Sequence, residues 1–288
     1  MHREERAVDA TALYVVATPI GNLGDVTLRA LEVLKSVDVV AAEDTRVTRR
    51  LLAHFGIAAE VLALHQHNEA RAGARVLALL AQGKSVALVS DAGTPAVSDP
   101  GALVVRGAWD AGFRVVPVPG ANAAIAALSA SGRSGPGFVF TGFLPAQAAA
   151  RRRALASLAA LPWDLVFYEA PHRLRDTLSD MQDTFGPQRG LIIARELTKL
   201  FETIHRSTLG AVGAWLEADA NRLKGEFVLI VQGNPAAVAD AADQLGERAL
   251  RALLEELPVA QAARLAARIS GARKNQLYQR ALEIKQSE

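Results

Sequence analysis

The stretch Ser85–Ala121 packs two apolar runs, two Gly/Pro loops and a helix-spaced segment into one continuous piece of chain. Ser85–Val89 is β-rich and stops at Ser90-Asp91-Ala92-Gly93-Thr94-Pro95, where glycine permits unusual φ and proline forbids continuing the strand. Gly101–Ala111 has helical spacing, and Phe113–Val118 is a second apolar run closed by Pro119-Gly120-Ala121. This order predicts a βαβ unit. Ligands of open α/β sheets lie beyond the carboxyl ends of such strands, so the two glycine loops predict one rim of a pocket.

The same order recurs along the first half. Leu13–Ala17 ends at Thr18-Pro19-Ile20-Gly21-Asn22 and leads into a helical Thr27–Ser36, and Val37–Ala42 ends at Glu43-Asp44-Thr45-Arg46 before a helical Val47–Phe55. Val61–Leu64, a helix from Glu69 to Gln82 and a small-residue helix at Asn122–Ser131 complete a predicted parallel sheet with helices on both faces. Ser131–Gly137 holds three glycines and a proline and reads as a linker. Beyond it, strands at Phe138–Thr141, Leu165–Tyr168, Leu191–Ala194 and Phe227–Val231, with Glu202–Ser207 as a hairpin partner, predict a mixed sheet. Asn234–Gln244 reads as a second linker, followed by three helices separated at Pro258 and at Ser270-Gly271-Ala272, in the manner of a helix-turn-helix. The resulting division is an extension at 1–11, an N-terminal α/β domain at 12–133, a C-terminal α/β domain at 134–233 and a helical unit at 240–288.

Composition narrows the chemistry. Half of the 288 residues are hydrophobic and 22% are charged, which supports folded cores rather than disorder. The absence of cysteine excludes disulfides, thiol nucleophiles and cysteine-ligated zinc, and fits a reducing cytoplasm. Met1–Arg6 has mixed charges and no apolar core, so a frayed extension rather than a signal peptide is expected there. No apolar run reaches the roughly 18 residues that a membrane span needs. The net charge of +2 argues against a chain that is basic throughout, yet between Arg264 and Lys285 six bases face one acid, Glu283. Nucleic acid is the natural partner of that local face.

Several familiar sites fail. Before Gly83-Lys84-Ser85 the position that a phosphate loop reserves for its first glycine is Ala78, and the first loop carries only Gly21 and Gly24, short of a dinucleotide fingerprint. No G-x-S-x-G elbow occurs. His65 and His67 stand without a carboxylate motif, so no metal site is expected.

Laid out in order, the segments resemble the tetrapyrrole-methylase superfamily and, within it, the ribosomal RNA small subunit methyltransferase I family. They are Leu13–Asp25, Ala42–Arg46, His65–Glu69, Val89–Pro95, Ser98–Gly101, Val118–Gly120, Thr141–Pro145, Tyr168–Arg173, Arg195–Lys199 and Gly225–Phe227. The resemblance implies a two-domain α/β class III methyltransferase fold with a cleft between the domains and a C-terminal helix-turn-helix-like appendage. It implies S-adenosylmethionine as cofactor and methylation of a cytidine ribose 2′-hydroxyl in 16S rRNA of the 30S subunit, at cytidine 1402. A cytoplasmic homodimer is implied as well. Donor contacts carried over by motif are Pro19, Ile20, Asp91, Ala92, Gly93, Thr94, Pro95, Pro119, Gly120, Ala121, Thr141, Gly142, Glu169, Ala170 and Phe227.

A 2′-hydroxyl is a weak nucleophile that gains from a base in the transition state. Glu196 with Lys199 is the favoured pair, because both follow an apolar strand in one charged segment; Glu43, Asp44, His65 and His67 are the alternatives. Arg46, Arg49, Arg173, Arg195, Arg268, Arg273 and Lys274 are expected RNA contacts. The competing functions are a precorrin-type methyltransferase of the same superfamily and a non-enzymatic RNA-binding module, with a nicotinamide dehydrogenase behind them.

Overall fold

A computed structural model describes residues 11–65, 68–133 and 135–287. The first half runs β1 (Ala12–Val16), α1 (Leu28–Ser36), β2 (Val39–Ala42), α2 (Thr45–His54), β3 (Glu60–Ala63), α3 (Glu69–Ala81), β4 (Val86–Val89), α4 (Ala102–Asp110) and β5 (Arg114–Val118). Its five strands are all parallel in the order β3-β2-β4-β1-β5. Strand alternation sends Tyr14, Val16, Val40 and Ala42 to the face covered by α1 and α2, where Val33, Leu34 and Leu52 pack. Leu13, Val39, Ala41 and Leu88 face the opposite side, against Val76 and Leu80 of α3 and Val104 of α4. Burial on both faces explains why these strands read as unbroken apolar runs. The order places the ends of β1, β4 and β5 side by side, and the loops after β1 and β4 are joined by paired backbone hydrogen bonds between Thr18 and Gly93 of 2.9 and 3.0 Å.

Helix α5 (Ala123–Ala130) is capped by Asn122, whose Oδ1 accepts from the Ile125 amide at 3.1 Å. The second half follows as β6 (Phe138–Phe143), α6 (Ala148–Leu158), β7 (Asp164–Glu169), α7 (Leu174–Phe185), β8 (Gly190–Arg195), β9 (Thr203–Thr208), α8 (Val212–Glu217) and β10 (Phe227–Val231). Its sheet, β6-β7-β10-β8-β9, pairs β6 with β7 in parallel and is otherwise antiparallel. One face carries α6, α7 and α8 through Leu155, Leu178, Met181 and Leu216. The other face, with Val166, Ile192, Ala194, Val228 and Ile230, packs on Ala124 and Ala127 of α5. Helix α5 thus belongs to both halves, and its alanines let the helix and sheet approach closely.

Inside the second half, Arg151 Nε donates to Asp180 Oδ2 at 2.6 Å with both side chains buried. Of the consecutive Arg151, Arg152 and Arg153, Arg151 is thus part of the core. Arg133 closes the junction between the halves through Asp164 at 2.7 Å. The expected boundary at Ser134 lies outside the described residues.

The last unit holds α9 (Pro235–Leu254), α10 (Val259–Ser270) and α11 (Lys274–Ser287). The linker expected over 234–244 is instead the start of α9. Asn234 caps it through the Ala236 amide at 3.0 Å, Pro235 occupies the first turn, and the alanines that follow favour helix over coil. The expected boundary at 240 consequently falls inside a helix. Gly246 on α9 lies so near α10 that a Cβ would stand 2.9 Å from Ser270 Oγ, and Leu250, Ala262, Ala266 and Leu277 form the core of the unit. Among the described residues no helix is long and apolar enough to cross a membrane.

Candidate active site

A cavity of about 590 Å³ opens between the two sheets. The first half lines it with Ile20 after β1, Glu43 after β2, and Asp91–Thr94 and Val97–Asp99 after β4, together with Asn122 and Ala123 at the start of α5. The second half supplies Phe143, Tyr168, Glu169–His172, Ala194, Leu197 and Glu226–Val228. Neither half encloses the cavity alone.

Local backbone chemistry shapes the walls. Gly93 has φ +83°, a backbone conformation that would strain any side chain, and a Cβ on it would touch Ile20 at 3.4 Å and the Ala121 carbonyl at 3.7 Å. Thr94 Oγ1 donates to that same carbonyl at 3.1 Å, which ties the loop after β4 to the turn after β5. Gly142 sits at a bulge in β6 with φ +67°, and the Ser98 side chain occupies the space a Cβ would need. Across the cleft, Tyr168 Oη accepts from the Ala124 amide at 3.2 Å.

Three carboxylates meet on the first-half wall. Asp91 Oδ1 accepts from the Asp44 amide at 2.8 Å. Burial raises the Glu43 carboxyl, and the Asp91 charge raises it further. Burial also pushes Asp99 up to about 6, with the Glu43 charge acting in the same direction. The cavity is therefore apolar over much of its surface and negatively polarised on one side, a setting that favours a cation. Glu169 is committed elsewhere: it accepts from the Ala170 amide at 2.8 Å and Thr177 Oγ1 at 2.6 Å, and lies 3.3 Å from Arg173 Nε. Its role is to hold the Ala170–Arg173 turn in place.

Of the donor contacts carried by resemblance, Ile20, Asp91, Ala92, Gly93, Thr94, Glu169, Ala170 and Phe227 line the cavity. Pro95, Pro119, Gly120, Ala121, Thr141 and Gly142 stand behind the wall. Gly120 allows the turn to rest on Ala17, and Thr141 Oγ1 donates to the Val166 carbonyl at 3.2 Å. Pro19 faces a different cavity.

Glu196 and Lys199 do not line the cavity. Glu196 Oε1 accepts from Lys199 Nζ at 2.9 Å and from the Glu226 amide at 3.0 Å, while Lys199 also donates to Glu226 Oε2 at 2.8 Å. Burial raises the Glu196 carboxyl, but these partners outweigh it and hold it below its ordinary value. A carboxylate so engaged is a poor proton acceptor. A Cβ on Gly21 would overlap Lys199 Cγ at 2.5 Å, so this loop presses against the first loop of the other half. His65 lies after β3 and lines neither cavity, His67 lies outside the described residues, and Asp44 caps α2.

The expected RNA contacts divide. Arg195 is buried, with its guanidinium on the Lys224 carbonyl at 2.6 Å and the Phe201 carbonyl at 3.1 Å, and Arg173 donates to the Leu144 carbonyl at 2.6 Å. Both are internal braces, because carbonyls left by the adjoining loops claim their donors. Arg46 and Arg49 are exposed on α2, and Arg268, Arg273 and Lys274 are exposed around the α10–α11 turn. Arg280 of the basic run is paired with Glu247 and Glu283.

The family profile of tetrapyrrole (corrin/porphyrin) methylases matches residues 12–213, and the profile described as the RsmI C-terminal HTH domain matches residues 238–285. A protein of Escherichia coli O157:H7 named ribosomal RNA small subunit methyltransferase I is 54% identical over 272 residues, covering 94% of each chain. The chain belongs to the ribosomal RNA small subunit methyltransferase I family. Its Pseudomonas aeruginosa relative of the same name is 52% identical over 279 residues, with 96% of this chain and 98% of that one covered. The fold is shared with uroporphyrin-III C-methyltransferase of Thermus thermophilus, solved in complex with S-adenosylhomocysteine: TM-score 0.54 at 18% identity, covering 77% of this chain and 97% of that one.

For a member of this methyltransferase family, the cavity residues that motif reasoning omitted include Ser98, Asp99, Asn122, Phe143, Tyr168, Leu197 and Glu226. Asp99 had a signal in Ser98-Asp99-Pro100-Gly101, an acid between turn-forming residues just beyond the glycine loop. Phe143 and Leu197 had none, since an apolar residue beside a strand end reads as core.

Proposed function

We propose that the protein transfers a methyl group from S-adenosylmethionine to the 2′-hydroxyl of a cytidine, cytidine 1402, in the 16S rRNA of the 30S subunit. The observation that carries the reading is the group of three carboxylates, Glu43, Asp91 and Asp99, on one wall of an apolar cavity built from both halves. The residues fit the donor: the carboxylates complement a cationic sulfonium and ammonium, Phe227, Ile20 and Val97 offer apolar surface to an adenosine, and Gly93 brings backbone groups close. When bound, S-adenosylmethionine supplies an electrophilic methyl group on a positively charged sulfur. The relatives' name supports an RNA acceptor, and the S-adenosylhomocysteine complex of the fold neighbour supports the donor.

The chain's own contribution is positioning and a proton acceptor. The clasped loops after β1, β4 and β5 fix one wall, and α5 fixes the distance to the other; orientation of this kind lowers a bimolecular barrier by about 7–11 kcal/mol. Asp99 takes the hydroxyl proton as the oxygen attacks; burial, with the Glu43 charge beside it, holds the Asp99 carboxyl near the pH at which it both exists as a base and holds a proton well. Glu196 and Lys199, favoured from the sequence, are assigned to clamping the second half against Gly21. The precorrin alternative draws on a fold likeness at 18% identity, whereas the RNA reading draws on relatives matched over nearly the whole chain and on the helical unit they share. A cytoplasmic homodimer accompanies this reading.

The test is transfer of labelled methyl from S-adenosylmethionine to unmethylated 30S subunits, to naked 16S rRNA and to precorrin in parallel. The reading expects incorporation into the subunit; label in precorrin alone would replace it with the tetrapyrrole alternative.

A further inference from the structure

A second cavity, of about 320 Å³, lies on the other side of Asp91 from the first. Helix α2 builds its floor with Val47, Arg50, Leu51 and His54, spaced i, i+3, i+4 and i+7 on one face of the helix. Thr48, buried, also lines the cavity, and Leu52 belongs to the face that packs on the sheet. The loop after β1 forms the opposite wall with Pro19 and Leu23, and Asp91 is shared with the first cavity.

The charges at this cavity differ from those at its neighbour: Arg50 and His54 line it together with the shared Asp91. Helix α2 reads TRVTRRLLAH, three arginines and a histidine with no acid. Arg46 is neutralised by Asp44 at 2.6 Å, but Arg50 has no ion pair among the described residues. Val47 and Leu23 are large apolar side chains left 38% and 40% exposed, which nothing among the described residues covers. The volume is at the lower end of the range for ligand pockets, about 300–1,000 Å³, and admits one nucleotide rather than a macrocycle. Single-stranded RNA is recognised by splaying bases onto aromatic rings, histidines and arginine planes, with phosphates met by free cations. His54 and Arg50 are the planar groups here, set beside apolar Leu23 and Val47.

Resting on the methyltransferase reading above, we infer that the α2 cavity holds a nucleotide of the RNA strand, its base against Leu23, Val47 and His54 and its phosphate on Arg50. Asp91 then stands as the common wall between the strand and the donor, and its hold on the Asp44 amide fixes α2 relative to the donor cavity.

The experiment compares wild type with Val47→Trp, which fills the cavity from an exposed position, and Arg50→Ala. Methyl transfer to 30S subunits is measured against subunit concentration and salt, with donor affinity by calorimetry. Val47→Trp should raise KM about 5- to 100-fold, the range lost when a base stack is removed, with unchanged donor affinity. Arg50→Ala should lower the magnitude of the logarithmic salt slope by about 1. In parallel, cytidine 5′-monophosphate is titrated while the methyl resonances of Leu23 and Leu51 are followed, and these should shift in wild type but not in Val47→Trp. Wild-type KM and salt slope in both variants would overturn the cavity assignment while leaving the methyltransferase reading intact. If wild type labels no subunit, that reading falls, and the nucleotide titration alone decides the cavity: shifts at these methyls sustain it and their absence removes it.

Discussion

The two cavities that share Asp91 are built differently. The larger cavity needs both halves of the molecule, carries three carboxylates on its first-half wall and is lined from the second half by Phe227 of β10 and by Leu197, which follows β8. The α2 cavity belongs to the first half alone, is open to the surface and carries Arg50, which has no ion pair among the described residues. On the proposed reading, carboxylates on one side and Arg50 on the other sort a cationic donor from an anionic polymer, and Asp91 marks the border. The first cavity draws its walls from both halves, whereas the second draws them from the first half alone.

The largest expected effect tests the acidic side. Asp99→Asn removes the proposed proton acceptor and should lower kcat about 10²- to 10⁴-fold, with a smaller loss of donor affinity than Asp91→Asn. In the wild type, the rate should fall as pH drops through about 6, where Asp99 becomes protonated, and level off above it. The stability effect has the opposite sign. The folded state holds this carboxyl above its ordinary value, so its ionisation costs stability progressively between about pH 4 and 6 and the cost persists at higher pH. Asp99→Asn should therefore melt higher than wild type at pH 7, and the difference should shrink as pH is lowered through that window. An inactive variant that also melts lower would show a structural rather than a catalytic loss.

Next in size is the border itself. Asp91→Asn keeps an oxygen for the Asp44 amide while removing the charge, and should weaken S-adenosylmethionine by roughly 10- to 100-fold, the range for losing a charged hydrogen-bond partner. Equal donor affinity in calorimetry would take Asp91 out of the donor wall. On the basic side, replacing Arg268, Arg273 and Lys274 together by alanine should reduce the logarithmic salt slope of 30S binding by about 2–3 and leave donor affinity unchanged. The smallest effect belongs to Arg46→Ala. Its guanidinium is exposed and already paired with Asp44, so RNA affinity should move by roughly twofold, well short of Arg50→Ala.

The parallel half was legible because its strands are buried on both faces and its helices on one, so apolar runs and 3.6-residue spacing separated cleanly. Asn234–Gln244 was misread because its Asp and Asn residues resemble a linker while its alanines and the Asn234 cap make a helix. In the site, glycine and acidic loops marked the first-half wall, since loop residues that are neither apolar nor mobile-looking stand out. Phe143, Tyr168 and Leu197 were silent, because lining a cavity and filling a core demand the same side chains. Arg195 and Glu196 misled for the converse reason: charge after a strand end signals a site, but here the backbone carbonyls and Lys199 consume it.

The most direct test is to digest 16S rRNA from 30S subunits methylated by the purified protein and identify the modified nucleoside by mass spectrometry. The account predicts a single cytidine carrying its new methyl on ribose. A methyl on a base, or no methylated nucleoside at all, would contradict it.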